Sequence, residues 1–410
     1  MSAGAARPLR VTAVMTHPVQ YFSPWFRWIT ANLPDVTLTV LYAAVPRAEQ
    51  QGQAFGQAFE WDSRPLDGYA WEACREPDGM TFTDDAFLGV DAAGVGDRIA
   101  RTRPDVVLIA GWHSLFQVRA LAACRRRGIP VVYRGDSNLS TAPAGLRRGP
   151  WYLRTWLLLR LFRGWLAVGT RAAEYLAYFS LPADRIARSP HCVDHDWFAA
   201  RATEARSDGR RARVRAELGL APQDFAVLFV GRLVAVKRPL DAVQAVAGLG
   251  PGAVLIAAGS GPLLEAVQAE ARRLAVRVVT PGFRNQSEVV DLYTAADVLV
   301  LPSASETWGL VVNEALASGL PCVVSSGVAA GVDLIRDGGN GRVVPVGDTA
   351  GLTTALADVR EGLATGRYGV AACRAPLADA GFREAAAGLV TLGRRLANAG
   401  ADGSESLYRG

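Results

Sequence analysis

Lys237 is the only lysine in this 410-residue chain; the other 43 of its 44 Lys and Arg residues are arginine. It lies in "FVGRLVAVKRPLDAV" (229–243), five positions after Arg232. An apolar run that reads as a strand precedes it, ending at Gly231, and Pro239 follows, a residue tolerated in the first turn of a helix. Two cations so spaced past a strand end suit a diphosphate. A compact ammonium can sit between phosphate oxygens as a point charge, whereas guanidinium is a wide planar fork. Lysine kept at one place in a chain that has lost it everywhere else is therefore read as chemistry; the competing reading is a chance survivor on the surface.

A second constellation occupies "LPSASETWGLVVNEALASGLPCVVSS" (301–326). A strand ends near Pro302, a loop carries Glu306, and a helix is expected from about Gly309 through Glu314 to Gly319. The free backbone N–H groups at such a helix start form a ready anion site. Carboxylates on both sides of a phosphate site are electrostatically costly unless each has hydroxyls of its own to bind, and sugar and ribose hydroxyls meet that need. Glu314 could instead be an ordinary helix-face residue, but "VVNEALASG" is too apolar for a solvated face.

The elements that must position these residues follow an alternating rhythm. Strands are predicted at 9–15, 36–43, 105–111, 129–135 and 164–169, then at 225–231, 253–259, 276–282, 297–302 and 321–326, with helical stretches between them. Such alternation implies parallel sheets covered on both faces. Two sets of five strands imply an α/β chain of two Rossmann-like, doubly wound domains facing each other across a cleft. Ligands would then bind beyond the carboxyl ends of the strands. The expected boundaries are an N-terminal acceptor domain over 8–198, a charged connector over 199–220, a C-terminal donor domain over 221–385, and a helix end with a flexible tail over 386–410.

The segments "GRLVAVKRP", "GSGPL" (259–263), "GF" (282–283), "AADVLVLPSASETWGLVVNEALASGLPCVVS" and "GNGRVVPVGD" (339–348), in that order, resemble the donor half of family-4 retaining glycosyltransferases of the GT-B fold. The first half resembles a subgroup that begins with a "HPVQYFSP" loop (17–24), followed by "FEWDSRPLDGY" (59–69), "GWHSL" (111–115), "YRGDSNL" (133–139) and "SPHCVDHDWF" (189–198). The resemblance implies that Arg232 and Lys237, next to Gly231, grip a donor diphosphate whose distal phosphate meets the backbone of Gly309, Leu310 and Val311. It implies that Glu314 takes the ribose hydroxyls and that the loop at Phe283 and Arg284 meets the base. Glu306 would face the transferred sugar, and His113 would lie near the reacting centre. His17, Gln20, Tyr21 and Asp136 would line the acceptor side. Three departures stand out: Trp308 where phenylalanine is usual, His191-Cys192-Val193-Asp194 where Asn-Gly-Val-Asp is usual, and His17-Pro18 in place of a glycine pair.

Composition narrows the class. Half the residues are hydrophobic and a fifth charged, which describes a folded protein and not a disordered one. Five scattered cysteines without a C-x-x-C pair argue against a disulfide frame or a zinc site and for a reducing cytoplasm. Asp194-His195-Asp196 mimics a metal-binding D-x-D, but its place at the domain junction favours a turn or helix start, so no metal is expected. The formal charge of +5 is uneven: residues 119–171 hold 11 arginines and one acid, Asp136. Within that stretch "GPWYLRTWLLLRLFRGW" interleaves Trp and Leu with Arg. Such a segment can lie on an anionic membrane surface, giving peripheral contact through residues 147–165 at the inner face of the cell membrane, or can pack on a sheet with its arginines snorkelling. No nucleic-acid motif accompanies the charge.

The expected activity is transfer of a sugar from a nucleotide-diphosphate sugar, with UDP or GDP as the nucleotide, to an acceptor hydroxyl or other nucleophile with retention of configuration and no required cofactor. The acceptor would be a polysaccharide, a lipid-linked glycan or a bacterial natural product. The alternatives are a nucleotide-sugar epimerase of GT-B fold and a non-catalytic sugar-binding protein.

Overall fold

The computed structural model describes residues 7–53, 57–82 and 87–401. Among them are thirteen strands in two all-parallel sheets. The first is built from β1 (Leu9–Met15), β2 (Val36–Tyr42), β3 (Ala70–Ala73), β4 (Val106–Ile109), β5 (Val131–Gly135), β6 (Gly164–Ala167) and β7 (Ile186–Arg188), in the order β3-β2-β1-β4-β5-β6-β7. The second comprises β8 (Phe225–Val230), β9 (Ala253–Ala258), β10 (Arg277–Gly282), β11 (Val298–Leu301), β12 (Cys322–Ser325) and β13 (Gly341–Val344), in the order β10-β9-β8-β11-β12-β13. The two doubly wound Rossmann-like folds expected from the sequence are both present.

The ten predicted strands are all found, most of them a residue or two shorter at an end. Three more exist: β3, β7 and β13. Each is only three or four residues long, and each forms the outer edge of its sheet. β3 and β7 have no buried residue, so no continuous apolar run marks them. The central strands behave oppositely. "AVLIAA" of β9 and "VLVL" of β11 are buried at every position because helices cover both faces of a parallel sheet. Val227, Phe229, Leu255, Val300 and Val323 form the core of the second sheet.

The chain divides into two compact units, residues 1–60, 64–190 and 382–410 against 61–63 and 191–381. The expected boundaries differ from these in two ways. Residues 199–220, expected to be a connector, are largely helical (His195–Ser207 and Arg210–Glu217) and belong to the second unit. Arg215 is buried there, donating to the carbonyls of Ala295, Ala221 and Asp224, while Arg211 and Arg215 both pair with Asp297. The arginines that made this stretch look like a linker are its attachment. The last helix, Phe382–Ala401, belongs to the first unit and packs across β7, β6, β4 and β1. The flexible tail expected at the carboxy terminus lies, beyond residue 401, outside the described residues.

Candidate functional site

In an open parallel sheet the loops leaving adjacent strands diverge where the strand order reverses, and the crevice so formed is where ligands bind. The second sheet reverses between β8 and β11, whose register pairs Val227 with Val298 and Leu228 with Leu299. The loop after β8 carries Gly231, Arg232 and Lys237; the loop after β11 carries Glu306 and leads into the helix Leu310–Ala317.

The two loops are pinned together. Lys237 ends a short 3-10 turn, Ala235–Lys237, and Pro239 opens the following helix as expected. Ala304 N–H donates to Val236 C=O at 2.7 Å, and Glu306 is fixed from the other side: its N–H donates to Gly327 C=O at 3.0 Å, and its C=O accepts from Ala329 N–H at 3.2 Å. Lys237 Nζ consequently donates to Glu306 Oε2 at 2.5 Å, with both side chains about one-fifth exposed. Ser303 Oγ donates to the same carboxylate oxygen at 3.3 Å. The residues are distant in sequence yet form a single partly shielded ion pair. The counter-charge of Glu306 is thus the ammonium itself, where the sequence had suggested only substrate hydroxyls.

The glycines of "GSG" (259–261), after β9, make the floor of this site. A Cβ added to Gly259 would lie 2.0 Å from Gly231 O, and one added to Gly261 would lie 2.5 Å from Leu233 O. Only glycine allows the β9 loop to come so near the backbone that aims Arg232 and Lys237.

The helix Leu310–Ala317 starts without a side chain at its cap position. Its cap is Gly309, at φ +102°, a left-handed conformation that favours glycine and brings no side chain to occupy the first-turn N–H groups. Glu314 is buried in that helix and accepts from Tyr293 O–H at 2.6 Å. Burial pushes its carboxyl up to about 7, with the Tyr293 hydrogen bond pulling the other way. Burial and the adjacent carboxylate in turn hold the Tyr293 hydroxyl well above its usual range. Tyr293 was not legible as a site residue: it lies in "DLYTAADVL", where an aromatic reads as core, and only its hydroxyl distinguishes it.

The departures at Trp308 and His191 prove to be neighbours. Trp308 is buried and its Nε1–H donates to Asn313 Oδ1 at 2.8 Å; Asn313 Nδ2–H donates to His191 C=O at 3.2 Å and lies 3.4 Å from His195 Nε2. A phenylalanine at 308 could make no such bond. The network ties the helix start to the junction segment 191–195, and burial lowers His195 to about 4, so its ring is neutral near pH 7. Asp194 is committed as the cap of the helix His195–Ser207, accepting from Trp197 N–H at 3.0 Å. Among the described residues no group of three or more His, Cys, Asp or Glu is placed to hold a metal ion.

Phe283 and Arg284 follow β10. Arg284 pairs with Glu288 at 3.4 Å, and the Phe283 ring lies 6.4 Å from that of Trp61. Asp62 accepts from Ser287 N–H at 3.0 Å, also from its hydroxyl, so residues 61–63 are held by the second unit. Neither Trp61 nor Asp62 was singled out from the sequence.

The first-unit residues also gather at strand ends. The first sheet reverses between β1 and β4. His17, Gln20 and Tyr21 follow β1, His113 follows β4, and Asp136 follows β5, three neighbouring strands. Tyr21 occupies the position before the helix Phe22–Asn32, and Ser114, next to His113, caps Leu115–Arg126 in a box with Gln117. His17 is partly buried, with Nδ1 3.0 Å from Thr16 Oγ1 and its ring edge-on to Phe82; desolvation lowers it to about 4. His113 is exposed.

Comparison with known proteins bears on the family and the fold. Residues 58–197 match the family described as Glycosyltransferase Family 4, and residues 210–362 match Glycosyl transferases group 1. A D-inositol 3-phosphate glycosyltransferase of Mycobacterium sp. (strain KMS) is 39% identical over 151 residues, which cover 35% of this chain and 34% of that protein. One from Acidothermus cellulolyticus is 29% identical over 296 residues, covering 68% of this chain and 59% of that protein. The matched region thus spans about a third of the first relative's length and less than two thirds of the second's. The crystal structure of Anabaena HepE in complex with UDP superposes with a TM-score of 0.67 at 17% identity, over 96% of this chain and 100% of that one. The chain therefore carries the two domains of a glycosyltransferase of GT-B fold.

Proposed function

We propose that this protein is a retaining glycosyltransferase that moves a sugar from a nucleoside diphosphate sugar to an acceptor hydroxyl. The observation that carries the reading is the Lys237–Glu306 pair at 2.5 Å, set at the strand-order reversal beside a helix start whose cap residue is Gly309. Breaking a glycosidic C–O bond to a diphosphate leaves charge on the departing oxygens. Preorganised donors aimed at that charge are usually the largest catalytic term. Lys237, Arg232 and the N–H groups of Gly309, Leu310 and Val311 are the donors. Glu306 faces the transferred sugar and holds the ammonium in place. Glu314 accepts from the ribose hydroxyls, and Phe283 and Arg284 meet the base. HepE, the neighbour in fold, was crystallised with UDP, which favours a uridine nucleotide, with GDP as the runner-up.

The acceptor enters against His17, Gln20, Tyr21, His113 and Asp136. Desolvation keeps the His17 imidazole neutral near pH 7, so it offers an acceptor hydroxyl a hydrogen bond without a charge. With no side chain evident as a nucleophile on the reacting face, the favoured course is front-face displacement within an ion pair. The subgroup is the one marked by the "HPVQYFSP" loop and its companion segments, with a polysaccharide, lipid-linked glycan or natural product as acceptor. The reaction proceeds in the cytoplasm without a metal, so activity persists in a chelator.

Thermal unfolding with UDP-, GDP-, dTDP- and ADP-sugars tests the reading. A ligand at about a hundred times its Kd stabilises by roughly 2.7 kcal/mol, well within detection. One base giving a large shift fixes the donor; four nucleotide sugars without effect refute the donor site.

A further inference from the structure

A soluble helix on a sheet normally buries its apolar stripe and shows water its polar one. The helix Arg148–Leu159, between β5 and β6, does something else. Its packed side is largely aromatic and aliphatic: Thr155 and Leu159 are buried, Tyr152 stacks on Phe179 and Trp151 lies tilted against the same ring. Its other side is apolar too. Leu146, in the 3-10 turn just before the helix, is 99% exposed; Leu153 is 57% and Leu157 52% exposed, and Leu161, just past the helix end, is 38% exposed. Within the helix Leu153 and Leu157, four residues apart, share a face opposite Thr155 and Leu159 at 3.6 residues per turn, and Leu146 and Leu161 stand just before and just after it. Exposed leucines scattered singly need no explanation, but a continuous stripe does.

The charges beside the stripe are of one sign. Arg147 and Arg154 fall on one flank and Arg160 on the other, and no acid occurs between residues 137 and 173. Arg160 lies over the Trp156 ring at 3.9 Å and donates to Phe179 C=O at 3.3 Å, which holds a cation at the edge of the stripe. We propose that this face docks on an anionic lipid bilayer surface, the leucines entering the boundary of headgroups and acyl chains and the arginines meeting lipid phosphates. That is the pattern of a helix lying in the plane of a membrane interface, where apolar burial and attraction to anionic lipid add. Among the described residues no helix is long and apolar enough to cross a bilayer. A second copy of the chain fits worse, because it would bring the same arginines against these. Docking of this face does not depend on which sugar, base or acceptor the protein uses.

Co-sedimentation of the full chain with phosphatidylcholine vesicles, with and without phosphatidylglycerol, tests it. The protein is expected to pellet only with the anionic vesicles. Leu153→Glu/Leu157→Glu, at positions more than half exposed, should weaken partitioning by roughly tenfold or more with an unchanged melting curve. Arg147→Ala/Arg154→Ala should weaken it less, and added salt should mimic that loss by screening. Failure of the unaltered protein to bind anionic vesicles overturns the proposal, as does undiminished binding by the leucine variant. So does a dimer in light scattering that the leucine substitutions dissolve, since a second copy would then be what covers the stripe.

Discussion

The loops at the strand-order reversal of the second sheet and those at the reversal of the first are held in different ways. In the second unit the functional groups are paired with one another: Lys237 with Glu306, Tyr293 with Glu314, Trp308 with Asn313. Their backbone is closed by glycines at near-contact distance. In the first unit the two histidines differ: His17 is desolvated, with Nδ1 3.0 Å from Thr16 Oγ1, and His113, beside the helix cap Ser114, is exposed. The contrast fits a division of labour in which one site grips an invariant charged group and the other accommodates a variable neutral one. A diphosphate demands fixed charges, and fixed charges need partners. Hydroxyls demand only hydrogen-bonding geometry.

The severest test of that division lies at Lys237. Lys237→Ala should lower kcat/KM by about thirty- to a thousandfold, on the order of 2–4 kcal/mol of transition-state stabilisation, as loss of one oxyanion donor does. Lys237→Arg should be nearly as damaging, because a planar fork cannot occupy the ammonium's place against Glu306. An arginine variant that keeps most of its turnover would remove the reason for the surviving lysine. Glu306→Ala should depress kcat, whereas Glu314→Ala should chiefly raise the donor KM; matching KM effects with normal turnover in both would merge the two roles.

The buried pair gives a pH signature. Glu314 is raised from 4.5 to about 7, so between those values the folded state holds a proton that the unfolded state has released. Stability from this group is therefore largest below pH 4.5 and declines as pH rises to about 7, by on the order of 3 kcal/mol. Donor binding should run the other way, because in the proposed site ribose hydroxyls would donate to the ionised carboxylate. Calorimetric titration should show tighter binding at pH 8 than at pH 6, and Glu314→Gln should flatten the difference. A profile unchanged by that substitution would assign the titration elsewhere.

The smallest effect is expected at Trp308→Phe. It restores the family's usual aromatic but leaves buried Asn313 Oδ1 without its donor, at a cost of about 1–3 kcal/mol in stability. Thermal melts read this directly, and turnover should fall far less than for Lys237→Ala. His113→Ala offers the parallel test in the first unit: loss of turnover with intact donor-induced stabilisation keeps the two sites distinct.

The alternation of apolar strands with helices was legible because parallel sheets bury both faces and leave continuous runs such as "FAVLFV" and "AVLIAA". The loops that carry chemistry followed from those runs, since ligands collect at strand ends. Sequence alone thus marked Lys237, Glu306, the Gly309 helix start and Glu314. The short edge strands β3, β7 and β13 escaped because half-exposed segments of three or four residues have no period to detect. The charged stretch 199–220 misled because a buried arginine and a solvated one look alike until their acceptors are known, and Asp297 and the Ala295 carbonyl are far away in the chain. Only tertiary structure decided which partner each charge would find: that the one ammonium faces Glu306, that Tyr293 answers Glu314, and that a line of leucines near Arg154 points away from the core. Residue types and local periodicity are properties of neighbours in sequence, whereas the dielectric and counter-charge around a group are set by whatever the fold brings beside it.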